Sequence, residues 1–237
     1  MLELPSLKRE TRYGMPAADQ IMFNRFFVLG YSYYFRQAKW ALEIIDPEGE
    51  GERHDNFRPD FRVPQMFRAG LIDYSHSGFD RGHLVASANQ REKVLQNSET
   101  FLLSNMSPQH PDLNRRIWRE LESEVRNLQD KPEIYETYVI TGPIFNFDMA
   151  IQVIGADDPN DVTIPVPHAY FKSVLTENKA GKLHMWSFII PNEGTDKELE
   201  EFRVSVVEVE RKAGIFLWER LTGTEIEEEK LKIRMMW

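Results

Sequence analysis

One helical stripe constrains the fold of this chain of 237 residues more than any other pattern. Five apolar residues recur at steps of three and four, which is the spacing of the buried face of an α-helix. A second stripe beside them contains Asn114, Trp118, Glu122 and Arg126 and spans about 18 Å at roughly 1.5 Å per residue. Such a helix packs against a core with one side and presents polar groups on the other. The apolar residues are Leu113, Ile117, Leu121, Val125 and Leu128.

The segment Asp80–His83 lies about thirty residues before Asn114 and reads Asp-Arg-Gly-His. It is predicted to form a turn in which Gly82 lets the backbone approach a ligand. A histidine can take a proton from water near neutral pH, an arginine can hold a phosphate oxygen, and an amide can bind a hard cation through its oxygen. These are the groups that hydrolysis of a phosphodiester with one divalent metal ion requires.

Three residues receive the main roles in this hypothesis. His83 is the candidate general base, Arg81 the candidate ligand of the scissile phosphate, and Asn114 the candidate metal ligand. Each has a structural alternative: a histidine is often a hydrogen-bonded core residue, and an Asn at a helix start is usually a cap. The Asp-Arg-Gly-His context favours catalysis for His83.

The remaining candidates support that centre. Glu122 is expected to orient a metal-bound water and Arg126 to pair with Glu122 four residues away, although a surface ion pair is the alternative. Asn105 is expected to fix the histidine loop or a metal-bound water, or to satisfy buried backbone groups. Asp80 is expected to hold the turn or Arg81, and ligation of the metal is the alternative.

The upstream arginines are candidates for substrate binding together with Asp80. Arg53, Arg58, Arg62 and Arg68 precede the motif in a segment rich in proline and charge, and the residues alone allow any one of them to reach a phosphate. A surface role is the alternative for each.

The net charge of −9 is unusual for a protein that binds nucleic acid, because phosphates are bound by Lys and Arg. The distribution reduces this objection. Residues 51–126 contain eleven Lys or Arg and eleven Asp or Glu, so the acidic excess lies elsewhere, largely in 193–201 and 225–229. Those runs are interpreted as solvated faces.

Composition narrows the class of protein. The chain has no cysteine, which excludes disulfides and thiolate metal sites, and it has no His-Glu-x-x-His zinc spacing. No apolar run reaches the roughly eighteen residues that cross a bilayer, so membrane insertion is not expected. The N-terminal residues lack a secretion signal; a cytoplasmic or organellar location is favoured, or secretion if a leader was removed.

The rest of the chain reads as one α+β domain at 13–221, with an N-terminal arm at 1–12 and a charged C-terminal tail at 222–237. Strands are predicted at 26–31, 39–45, 136–142, 163–166, 169–175 and 184–190, the last two forming a hairpin at Gly181. A loop is expected at 46–56, and helices at 92–96, 196–202 and 206–221, the last interrupted at Gly214.

The ordered motifs resemble the DNA/RNA non-specific endonuclease family, most closely its endonuclease G branch. The likeness covers roughly residues 13–221. It rests on 80–84, on 103–109 (Leu-Ser-Asn-Met-Ser-Pro-Gln) and on 113–115 with Trp118 and Glu122.

This resemblance implies a ββα-metal (His-Me finger) fold, with a central, mostly antiparallel sheet flanked by helices. It implies an enzyme dependent on Mg²⁺, with Mn²⁺ as the alternative, that cuts DNA and RNA to 5′-phosphate ends and forms a homodimer. It also assigns the base to His83, the metal ligand to Asn114, phosphate contacts to Arg81 and water or metal orientation to Glu122 with Arg126. A further arginine of the family falls near Arg53 or Arg58, and the resemblance does not choose between them. An inhibitor protein that restrains the enzyme is a further hypothesis.

Two other functions remain open at this stage. One is a phosphodiesterase that acts on small nucleotides, and the other is a non-catalytic module that binds nucleic acid. Substrate size separates the first from an endonuclease, and the effect of replacing His83 separates the second.

Overall fold

A seven-stranded antiparallel sheet carries the fold in the computed structural model, which describes residues 8–45, 51–156 and 162–237. The strands in chain order are β1 Gln20–Phe23, β2 Phe27–Ser32, β3 Gln37–Ile44, β4 Asp80–His83, β5 Met106–Gln109, β6 Ile134–Ile144, β7 Val153–Ile154, β8 Ile164–Pro165, β9 Ala169–Asn178, β10 Leu183–Pro191 and β11 Arg203–Val204. The large sheet has the order β1-β2-β3-β6-β9-β10-β11, and two small sheets pair β4 with β5 and β7 with β8.

Helices cover both faces of this sheet. They are α1 Val94–Thr100, α2 Trp118–Gln129, α3 Val206–Ala213 and α4 Thr224–Leu231. A π-helical turn, Leu113–Ile117, leads directly into α2.

The two-residue alternation of strand side chains divides the core between the faces. Val139 of β6 belongs to the cluster that contains the buried stripe of α2, whereas its neighbours Tyr138 and Ile140 belong to the cluster of α3. The predicted apolar stripe is confirmed, since all five of its residues are at most 5% exposed. Each such residue contributes about 1.5–3 kcal/mol by burial, so α2 is firmly seated on the sheet.

The predicted ββα arrangement is present in the hairpin of β4 and β5 followed by α2. The segment Asp80–His83, however, forms a strand and not a turn, with Gly82 opposite Ser107. Gly82 is needed for space, because a Cβ there would lie 2.1 Å from Oε1 of Gln109.

Most strand predictions are confirmed, including the β2–β3 and β9–β10 hairpins, while β1 was missed. The predicted helix 92–96 is found slightly later, as α1. The predicted helix 196–202 is reduced to a 3₁₀ turn, Leu199–Phe202, and the helix from 206 ends at Gly214, whose φ is +65°. The first seven residues of the predicted arm and residues 46–50 of the predicted loop lie outside the described residues.

The segment 222–237, predicted as a tail, contains α4 and packs on the domain. Glu229 is 5% exposed, accepts a hydrogen bond from the backbone N–H of Met185 and pairs with Arg234. This part of the acidic run is therefore structural. Within the described ranges, no helix has the length and apolarity that crossing a bilayer would require.

Replacing a buried leucine of α2 should destabilise the fold strongly. Leu121 is 0% exposed, so we expect Leu121→Ala to lower the free energy of unfolding by about 2–5 kcal/mol through lost burial and a cavity. Leu95→Ala on α1 is the matched control, because Leu95 is 57% exposed and its change should cost at most about 0.5 kcal/mol. Urea denaturation measures both, and equal losses would contradict the packing of α2.

Candidate active site

His83 lies at the end of β4, where two aromatic rings hold its imidazole. The rings of Phe57 and Phe101 meet it edge to face, with centroids 5.8 Å and 5.0 Å away. Its Nε2 is buried and has no hydrogen-bond partner among the described residues. Burial, reinforced by the nearby charges of Arg53 and Arg81, lowers the pKa of His83 to about 3. The imidazole is therefore neutral at physiological pH, as a proton acceptor must be.

Asn105 fixes the chain that follows His83. It is fully buried; its Oδ1 accepts from the backbone N–H of Val85, and its Nδ2 donates to the carbonyls of Val85 and Thr100. Every polar group of this amide is used by backbone. Of the roles expected for Asn105, this geometry corresponds to satisfying buried backbone groups and thereby holding the segment after His83.

Asn114 is oriented by a carboxylate from the neighbouring strand. Its Nδ2 donates to Oδ2 of Asp80 at 2.9 Å. Since an ionised carboxylate only accepts, the nitrogen of the amide must face Asp80 and the oxygen is left for another partner. Asp80 was expected to hold the turn or Arg81, but its carboxylate instead bonds Asn114 and pairs with Nε and one terminal nitrogen of Arg115, at 2.9 and 2.7 Å.

The π-helical turn that carries Asn114 changes the phase of the helix just before α2. Such turns are rare and frequent at functional sites. In this chain, the turn brings Asn114 and Arg115 to the same side as Glu122 and Arg126 of α2, while Trp118 between them is 1% exposed.

Six of the nine predicted site residues line one open cavity of about 500 Å³ between the segment after β4 and the helix, whereas Arg58, Asp80 and Asn105 do not line it. Six arginines and one glutamate line it, so its charge is opposite to that of the whole chain. The lining residues are Arg53, Arg81, His83, Ala86, Ser87, Ala88, Arg91, Asn114, Arg115, Arg119, Glu122, Ser123 and Arg126.

The structure separates the two upstream arginines. Arg53 lines the cavity, and its guanidinium lies 5.2 Å from the ring centroid of Phe101. Arg58 donates to the backbone carbonyls of Asn56 and Ser98 and lines a different cavity. Of these two arginines, Arg53 lines the same cavity as His83 and Arg58 does not.

Arg126 does not form the expected ion pair with Glu122. Its guanidinium donates to Oδ1 of Asn89 at 2.9 Å and to Oγ of Ser123 at 2.8 Å. Both partners are neutral, so Arg126 keeps its charge at the cavity and is held in place from two sides.

Glu122 stands above a buried polar layer that sequence reasoning missed. Burial raises the pKa of Glu122, while the cation of Lys172 opposes that shift. Lys172 is 2% exposed, with Nζ bonded to Oγ1 of Thr141 and 4.8 Å from the ring centroid of Trp118. The predicted strand 169–175 contains this lysine, but the alternation that predicts a strand does not show that a lysine is buried.

Glu43 completes that layer from strand β3. It is 1% exposed and accepts hydrogen bonds from Nδ2 of Asn89 and Nε2 of Gln90. Burial raises its pKa to about 7. Since Asn89 also accepts from Arg126, a continuous chain of hydrogen bonds joins the sheet to a cavity-lining arginine.

The donor set of the cavity suits a sparsely ligated metal ion. Among the described residues, no group of three or more His, Cys, Asp or Glu side chains is arranged to enclose a metal. The oriented oxygen of Asn114 instead offers one neutral ligand, and Mg²⁺ characteristically keeps several of its waters. The residues present therefore fit a hydrated Mg²⁺ better than a protein-enclosed Zn²⁺ or Ca²⁺.

A family profile and several nucleases are similar to this chain. The sequence profile described as DNA/RNA non-specific endonuclease matches residues 8–222. Mitochondrial endonuclease G of Caenorhabditis elegans is 36% identical over 235 residues, covering 92% of this chain and 74% of the relative. The endonuclease G of Homo sapiens is 35% identical over 218 residues, covering 86% and 71%.

Another nuclease and a solved structure are also similar to this chain. Nuclease C1 of Cunninghamella echinulata var. echinulata is 32% identical over 234 residues, covering 92% of this chain and 90% of the relative. A crystal structure of an EndoG/EndoGI complex, solved to explain EndoG inhibition, is similar with a TM-score of 0.80 and 32% identity over 90% of this chain and 91% of that one.

The burial of His83 should make stability depend on pH with a defined sign. The pKa of His83 is about 3 in the folded chain against an ordinary value of 6.5, so between these values the unfolded chain binds the extra proton. The contribution of His83 to the free energy of unfolding is fully present above its ordinary pKa of 6.5 and is lost as the pH falls towards 3. His83→Gln lacks the titration, so the stability of the wild type relative to this variant should fall by about 2 kcal/mol between roughly pH 7.5 and pH 5. Urea denaturation tests this, and a constant difference would show ordinary titration of His83.

Proposed function

Since the chain belongs to the DNA/RNA non-specific endonuclease family, and is therefore a nuclease, we propose that it hydrolyses phosphodiester bonds within both DNA and RNA and leaves 5′-phosphate ends. The observation that carries this proposal is the meeting of His83, Arg81 and an Asn114 oriented by Asp80 in one arginine-lined cavity. The cavity is open, which suits a polymer better than a small nucleotide.

His83 acts as the general base in this proposal. It accepts a proton from the attacking water, and its neutral state at physiological pH keeps it ready to do so. The edge-to-face rings of Phe57 and Phe101 hold the imidazole against rotation. Asn105 holds the following segment, so the base is positioned by backbone that cannot shift freely.

Asn114 holds Mg²⁺, or Mn²⁺ in its place, through its amide oxygen. Asp80 fixes which atom of the amide faces the cavity, and Arg115 fixes Asp80. The bound ion supplies Lewis-acid stabilisation of charge on the phosphate and water molecules that can donate protons to the departing 3′ oxygen.

The arginines and Glu122 complete the proposed chemistry. Arg81 is exposed, with its guanidinium stacked 4.1 Å from the ring centroid of Phe57, and binds the scissile phosphate. Arg126, held by Asn89 and Ser123, stabilises negative charge in the transition state, with Arg53 at the opposite wall. Glu122 accepts hydrogen bonds from metal-bound water and orients it.

Partners and location follow as further proposals from the relatives. The solved relative is described in complex with EndoGI in a study of EndoG inhibition, which supports an inhibitor protein for this chain as well. The relatives named as mitochondrial support an organellar location. A homodimer is expected from the resemblance, and light scattering should give about twice the chain mass of 27.9 kDa.

Removing the base or the metal ligand should abolish cutting while the fold survives. We expect His83→Ala and Asn114→Ala each to lower the rate of cleavage by about 10²–10⁴-fold in the presence of Mg²⁺. His54→Ala is the matched control, because His54 is exposed and lies outside the cavity. The assay compares plasmid, single-stranded DNA, RNA and a dinucleotide.

Each outcome of that assay selects a function. Cutting of the polymers that is lost in both variants supports the endonuclease. Efficient cutting of the dinucleotide alone would instead identify a small-nucleotide phosphodiesterase. Binding without any cutting would identify a non-catalytic module, and normal cutting by both variants would refute the assigned site.

Asp80 should set the metal requirement through Asn114. Without this carboxylate the amide can turn its nitrogen to the cavity, so we expect Asp80→Ala to raise the Mg²⁺ concentration for half-maximal activity by about 10- to 100-fold. Arg115→Ala is the control, since it removes the ion pair but leaves the acceptor for Asn114. Titration of activity with Mg²⁺ measures both, and equal shifts would show that the ion pair, not the amide orientation, controls metal binding.

A further inference from the structure

The six arginines of the cavity differ in whether a carboxylate already pairs with them. Arg115 pairs with Asp80 through both ends of its guanidinium, and Arg53 lies 3.1 Å from a carboxylate oxygen of Asp55. Arg126 bonds only neutral groups. Arg119 differs from Arg53 and Arg115, because no carboxylate of the described residues forms an ion pair with it.

The position of Arg119 follows from the register of α2. Arg119, Glu122, Ser123 and Arg126 are separated by three and four residues, so they share one face of the helix, and all four line the cavity. Arg119 is exposed and is the first of these four residues along the helix. Its cation is close enough to Glu122 to lower the pKa of that carboxyl. The neighbouring Arg116 points elsewhere: it does not line the cavity and lies 3.8 Å from Asp112.

We propose that Arg119 binds the phosphate next to the scissile one, so that the site holds a nucleic-acid strand by at least two consecutive phosphates. This inference rests on the function proposed above, because it takes the scissile phosphate to lie between His83, Arg81 and Asn114. Arg119 is then a substrate-positioning residue that acts on affinity and not on bond cleavage.

Charge balance supports this assignment over a role in the chemistry. A nucleic-acid backbone carries one negative charge per nucleotide. The proposed base, the proposed metal ion and Arg81 all act on a single phosphate. The neighbouring phosphate needs a cation that is exposed, unpaired and on the same face, and Arg119 satisfies these three conditions. In a chain of net charge −9, an exposed arginine of the cavity that forms no ion pair with a described carboxylate also attracts substrate towards it.

The first experiment compares substrates that have one phosphate with substrates that have several. Arg119→Ala should lower kcat/KM for an oligonucleotide by about 3- to 10-fold, mainly through KM, as expected for one exposed charge-assisted contact. The same variant should leave cleavage of a dinucleoside monophosphate unchanged. Arg119→Lys should restore much of the loss, and Arg116→Ala should resemble the wild type with both substrates.

The second experiment measures binding without cleavage. In a His83→Ala background, fluorescence anisotropy gives the affinity for a labelled single-stranded oligonucleotide between about 50 and 200 mM salt. Adding Arg119→Ala should reduce the slope of log affinity against log salt by about 0.7, because one fewer phosphate is neutralised. Adding Arg116→Ala should leave the slope as it is.

The outcomes distinguish this inference from the proposed function. If the wild type binds oligonucleotides without cutting any substrate, the proposed function fails, while the salt slope still tests Arg119. If Arg119→Ala leaves the slope unchanged, or lowers cleavage of the dinucleoside monophosphate as much as that of the oligonucleotide, the assignment is overturned. Unchanged thermal midpoints for both arginine variants exclude a folding defect as the cause of any loss.

Discussion

The link between Asp80 and the start of the long helix is the interaction on which the rest of the site depends. Asp80 begins β4, the strand that ends in His83, and its carboxylate reaches both Asn114 and Arg115. One acidic side chain thereby sets the distance between the proposed base and the proposed metal ligand and also the direction of the amide. Because charge-assisted bonds to a two-pronged guanidinium are strong and directional, this link resists both sliding and rotation of the helix.

This acidic protein has a cavity that is lined mainly by cationic side chains. The acidic excess includes Glu229, which is used internally beside Arg234, so part of it is structural rather than a solvated face. The cavity keeps six arginines against Glu122. Field focusing in a concave site depends on this local balance more than on the total charge, so a negative net charge is compatible with binding of a polyanion.

The sequence predicted the parts of the site that depend on local pattern. Helical spacing was enough to place Leu121 in the core and Glu122 at the polar edge, since the 3.6-residue period of the helix determines the direction of both side chains. It failed where a distant contact decides the outcome. Asp80–His83 is a strand because Met106–Gln109 pairs with it. Arg126 bonds Asn89 and not Glu122, because the segment after β4 places the amide oxygen of Asn89 within reach.

The same reasoning explains why Arg53 and Arg58 could not be distinguished. Both lie in a segment without regular periodicity, and only its path across the α1 region determines that Arg58 bonds Ser98 while Arg53 faces His83. No spacing rule encodes such a path. Arg119 was accessible in principle, because it shares the helical face of Glu122 and Arg126, but an exposed arginine on a helix is usually a solvated residue.

The buried layer under α2 shows that folding and the proposed catalysis use the same charges. Lys172 is removed from water, and its Nζ contacts the hydroxyl of Thr141 and the ring of Trp118, neither of which is charged. Burial of this cation costs free energy unless nearby carboxylates compensate it. Glu43 and Glu122 supply that compensation from opposite sides, because each raises the pKa of Lys172 against the effect of burial. A change in the charge or pKa of Glu122 therefore alters both the chemistry of the cavity and the stability of the buried layer under α2.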